Sequence, residues 1–94
     1  MKLISADYAE TLALKALGWL VGNEELLPVF MGSTGADLGD LRSRASDPAF
    51  LASVLDFLTM DDAWVVAFCD AESLPYDYPM QARAALGGGD VHWT

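Results

Sequence analysis

The chain has 94 residues, 53% of them apolar, and a formal net charge of −9 from 14 acids against 5 bases. That length suits one domain, and that charge repels nucleic-acid phosphates and anionic membrane surfaces on average. No stretch approaches the roughly 18 uncharged apolar residues of a membrane span. Asp7 and Glu10 interrupt the N-terminal apolar run that a secretory signal needs; the expectation is a cytoplasmic protein.

Punctuation predicts an all-α fold, a single compact array of five or six short helices. Residues 1–86 read as one helical domain and 87–94 as a glycine-rich flexible C-terminal tail. Ser5 suits an N-cap with Asp7 in the first turn. The first helix should run to Val21 and stop at Gly22. Its broad apolar face is Tyr8, Ala9, Leu12, Ala13, Ala16, Leu17, Trp19 and Leu20, with Asp7, Glu10, Thr11, Lys15 and Gly18 opposite. Leu14 and Val21 fall on the polar side and form a second apolar strip that something else should cover.

Asn23 should cap a second helix with Glu24 and Glu25 in its first turn and Leu26, Leu27 and Phe30 inward. Pro28 then lies late for a first turn and shortens or distorts it. Gly32 and Gly35 are expected to break the chain, and Asp37 to cap a third helix through Leu38, Leu41 and Ala45. Asp47-Pro48 is the cleanest helix start, an acid at the N-cap and a proline at the first helical position. The helix it opens should run to about Thr59, bury Phe50, Leu51, Val54, Leu55, Phe57 and Leu58, and be the most buried of all, with the first helix across it. Asp61 should cap a fifth helix whose stripe is Trp64, Ala67, Phe68 and Ala71. Asp77 should cap a sixth with Pro79 in its first turn, ending at Leu86. Period-two alternation, the mark of a strand, is nearly absent.

Several of these pieces together resemble a known family: Asn23-Glu24-Glu25-Leu26-Leu27, Phe30, Thr34-Gly35-Ala36-Asp37-Leu38, Leu41-Arg42, Asp47-Pro48-Ala49-Phe50-Leu51, Val54-Leu55-Asp56-Phe57-Leu58 and Asp61-Asp62 before Ala67-Phe68. The pattern, from about Ala9 to Leu86, is similar to the bacterial, mainly alphaproteobacterial, family called domain of unknown function 3572. Pro28 departs from it. The resemblance implies a compact all-helical protein and supplies no activity, cofactor or site residue.

No residue pattern points to catalysis. His92, the one histidine, has no partner at zinc-ligand spacing. Cys69, the one cysteine, sits late in its helix beside Asp70, and both features oppose the thiolate. Glu24/Glu25 and Asp61/Asp62 each open a helix, where the dipole favours acids anyway. The expectation is therefore no enzyme, no cofactor and no metal. The three Trp, three Tyr, four Phe and four Met point to more apolar surface than one small core needs. The primary reading is a small protein-interaction or regulatory module, with a protein partner or a homo-oligomer, and Leu14, Val21 and Trp93 as its surface. Two alternatives stand beside it. One is a DNA-associated regulator through a helix-turn-helix-like segment 24–45 bearing Arg42 and Arg44, although Asp37 and Asp40 cancel their charge. The other is a small-ligand binder with an aromatic and methionine-lined pocket, for which Tyr76 close to an acid would be the sign.

Overall fold

The computed structural model describes residues 4–86. Among them the chain forms six helices and no strand: α1 (Ala6–Val21), α2 (Leu26–Thr34), α3 (Leu38–Ser43), α4 (Pro48–Leu58), α5 (Asp62–Glu72) and α6 (Tyr78–Leu86). None is long and apolar enough to cross a membrane. The expected tail 87–94, with His92 and Trp93, lies outside the described residues.

Side-chain caps set most of the helix starts, because the first N–H groups of a helix have no partner within it. Ser5 accepts from Tyr8 N, Asp47 from Ala49 N and Asp61 from Ala63 N. Asp37 and Asp40 form a reciprocal capping box at α3. At α2 the cap acts from further away than expected. Asn23 Oδ1 accepts from both Glu25 N and Leu26 N, so Glu24 and Glu25 make a turn and the helix begins only at Leu26. Pro28 therefore falls inside the first turn, where a missing N–H costs nothing. Gly32 does not break the chain either, since α2 continues through it to Thr34. The stop is Gly35, whose φ of 74° is the left-handed conformation that glycine adopts without a Cβ clash. Ala45 lies beyond the end of α3.

α1 packs along α6, α4 and α2. Its Ala9, Leu12, Ala13, Ala16 and Leu20 are wholly buried, and so is Ala82 on α6. Small side chains on both helices let their backbones come close. In α4, seven of eleven residues are buried, the six anticipated and Ala52. A chain of aromatic rings joins α2, α4 and α5: Phe30 meets Phe50 edge-on at 6.2 Å and Phe57 at 5.2 Å, and Phe57 stacks on Trp64 at 4.7 Å. The stripe expected for α5 is rotated. Phe68 and Cys69 are buried while Ala67 and Ala71 are exposed. Trp19 of α1 meets Phe68 edge-on at 5.8 Å, and this contact turns the Phe68 side of α5 inward.

Truncating the ring at the centre of that chain should be costly. Phe30→Ala is expected to lose about 3–5 kcal/mol, against about 1 kcal/mol for the loss of the α4 cap in Asp47→Ala. Urea unfolding followed by far-UV circular dichroism measures both.

Candidate functional site

Leu14, Gly18 and Val21 are spaced four and three residues apart and so form one row on the outer face of α1. The row is uncovered: Leu14 is 45% exposed and Val21 47%. The turn after α2 brings α3 alongside it. Gly35 reverses the chain, Thr34 Oγ1 accepts from Ala36 N, Ala36 is buried, and the Asp37 capping box starts α3 immediately afterwards. Leu38 is 61% exposed, while Leu41 is buried. Between the two helices lies an open groove of about 400 Å³ lined by Leu14, Leu17, Gly18, Val21, Leu38, Leu41 and Arg42. Leu17 and Leu41 belong to the core, so the groove is an opening onto the core rather than a separate hole.

Gly18 gives this groove its depth. A Cβ built there would meet nothing within 4 Å, so no contact within the chain demands a glycine. Glycine in a helix interior is less stable than alanine by about 0.5–1 kcal/mol. What the residue provides is space and bare backbone at the groove wall, between two exposed apolar side chains.

Charge surrounds the apolar row. Asp7 and Glu10 precede Leu14 by seven and four residues and lie on the same face of α1. Glu24 and Glu25 follow the helix just past Gly22 and are exposed. The two arginines singled out from sequence go to different environments. Arg42 lines the groove and makes no ion pair with the described residues. Arg44 lies over the Phe50 ring at 5.0 Å, a cation–π contact that also shields the core. Leu14, Val21 and Arg42 are thus brought together, Arg44 lies apart from them, and Trp93 is outside the described residues. Gly18 and Leu38 went unrecognised in the sequence. Their signal was Gly18 falling between Leu14 and Val21 on one helical row.

The cleft beside the end of α5 holds the other reactive groups. Ser73, left-handed at φ 57°, ends α5 and directs Leu74 and Pro75 back over Cys69, whose Sγ is 3.4 Å from the Pro75 carbonyl oxygen. Burial, and then the charges of Asp70 and Asp77, push the thiol pKa up. Tyr76 does stand near an acid, one of the converging polar groups that would favour the small-ligand reading in a deep pocket, since its hydroxyl donates to Asp70 Oδ1 at 2.7 Å. That bond, followed by the charge of Asp70, raises the phenol pKa too. Both groups are held protonated, which is the wrong direction for a nucleophile or a base, and Tyr76 is exposed rather than enclosed. At the start of α4 a further depression holds Arg83, whose Nε donates to Asp56 Oδ1 at 2.6 Å. This pair ties α6 to α4. Among the described residues no group of three or more His, Cys, Asp or Glu could hold a metal ion.

Comparison with known proteins yields one result. The family described as Protein of unknown function (DUF3572) matches residues 6–89. No curated protein and no solved structure matches the chain.

Filling the glycine site with a methyl group should help the fold. Gly18→Ala is expected to raise stability by about 0.5–1 kcal/mol, measured as a shift in urea midpoint. Cys69 gives a pH dependence of defined sign. Its folded pKa lies above its unfolded value, so the folded chain keeps a proton that the unfolded chain releases. The associated stability is complete below about pH 8.5 and is lost as pH rises further. The urea midpoint should fall between neutral and alkaline pH, with a shallower fall in Cys69→Ala.

Proposed function

We propose a docking function for this chain, which belongs to the DUF3572 family: a non-enzymatic module that takes an apolar segment of a partner protein into the groove between α1 and α3. The observation that carries the reading is Gly18. A helix-interior glycine that relieves no clash, flanked by exposed Leu14 and Val21 and opposite exposed Leu38, weakens α1 and opens the groove. Such a trade of stability for space is characteristic of binding surfaces. The volume of about 400 Å³ suits side chains of an inserted segment. Both titratable candidates in the cleft beside α5 are shifted toward their unreactive forms, and that supports a binding role over a catalytic one.

The test is site-specific crosslinking in native cells. A photoreactive side chain at Leu38, on the rim, should capture a discrete protein. The same group at Met60, exposed in the turn between α4 and α5, should not. Leu14→Lys should abolish the Leu38 adduct while changing stability by no more than about 0.5 kcal/mol, as expected for an exposed position. No adduct at Leu38, or equal adducts at both positions, overturns the reading.

A further inference from the structure

Resting on the docking reading above, we infer that the occupant of the α1/α3 groove is an amphipathic helix of a partner protein whose apolar ridge is flanked at both ends by Lys or Arg. The argument is one of charge and length. The row Leu14, Gly18, Val21 extends about 10 Å along α1, two helical turns. It accommodates a ridge of apolar residues at positions i, i+4 and i+7 of a partner helix. The open wall at Gly18 allows that helix to approach the α1 backbone closely. Acidic residues stand on both sides of the apolar row along the chain. Asp7 and Glu10 continue it on the same face toward the start of α1, and the exposed Glu24 and Glu25 follow in the turn just after α1. At the start of α3, Asp37 and Asp40 add two more carboxylates, joined in their capping box.

The nearby cations do not cancel this. Lys15 lies 3.8 Å from Glu72, and Arg44 is over Phe50. Arg42 is the exception, a positive charge in the α3 wall. It places one carboxylate on the α3 side of the partner ridge, between the two cationic ends. The chain as a whole carries −9, so basic ends are drawn in and acidic ones repelled. The same charge disfavours a second copy of this chain as the occupant. A stable interface between folded proteins takes about 20–30 residues a side, whereas seven line this groove.

Display selection tests the inference. A library of peptides about 16 residues long is panned on the full chain, and the winners are then measured on Gly18→Trp and Leu14→Lys, two variants that block the groove. Circular dichroism and melting confirm that both variants are folded. The expected winners have apolar residues at i, i+4 and i+7, basic residues at both ends and a net charge of about +3. Neutralising one acidic pair, as Asp7→Asn with Glu10→Gln or Glu24→Gln with Glu25→Gln, should weaken them about three- to fivefold. Arg42→Glu should replace the central carboxylate by a base in a repeated selection. Gly32→Ala, on α2 and outside the groove lining, should leave binding unchanged. Winners that bind the groove but carry neutral or acidic ends overturn this inference and leave the docking reading standing. Winners indifferent to Gly18→Trp and Leu14→Lys, or none at all, overturn both. A dimer in light scattering that Gly18→Trp dissociates makes a second copy the occupant and overturns the partner helix.

Discussion

Everything in this fold depends on burying one face of α1. Ala9, Leu12, Ala13, Ala16 and Leu20 are sealed off from water, and α1 is packed against α6, α4 and α2. A fully buried leucine contributes about 1.5–3 kcal/mol relative to an exposed one. The alanines contribute less area, but they let neighbouring helices approach, which sharpens the contacts of everything around them. Because the inner face of α1 is held rigidly, its outer face is presented in a fixed geometry. Core packing therefore fixes the α1 wall of the groove, and the turn at Gly35 brings up the α3 wall.

The remaining helices are attached by aromatic rings and by caps. Phe30, Phe50, Phe57 and Trp64 form a continuous series across α2, α4 and α5, and edge-on or stacked pairs of this kind add about 0.5–1.5 kcal/mol each beyond area burial. Ion pairs are secondary. Lys15–Glu72 and Arg83–Asp56 each have a partner well exposed to solvent, where such pairs contribute about 1 kcal/mol or less. The acids of the chain serve largely as helix caps and as surface charge, which is why a net charge of −9 coexists with an interior free of buried charge among the described residues.

Two surfaces had a claim to function, and physical chemistry separates them. The cleft at Cys69 and Tyr76 holds reactive atoms whose surroundings suppress their reactivity: burial and carboxylates for the thiol, a hydrogen bond to Asp70 for the phenol. The α1/α3 groove holds no reactive atom, yet it contains a glycine that the fold does not need and three exposed aliphatic side chains. The first arrangement resembles ordinary turn packing around a left-handed Ser73. The second leaves apolar surface uncovered, a state that water penalises and a partner relieves.

Helix type, most caps and the buried faces of α1 and α4 were legible from residue order alone. They depend on local rules: a capping side chain three residues from an N–H, and apolar side chains recurring every three to four positions. The resemblance to the family was legible in part for the same reason, since the quoted pieces include the caps Asp37, Asp47 and Asp61 and the core residues Phe30, Phe50 and Leu55. Leu14 and Val21 could be marked as an unexplained strip, but not as half of a groove. Tertiary structure decided that Leu38 would face them rather than the core, that Gly18 would stand open between them, and that Arg42 and Arg44 would part company. It also rotated α5 to bury Phe68 and Cys69 and moved the start of α2 to Leu26. Each of these depends on which helix lies opposite, and periodicity within one helix specifies a face without specifying its neighbour.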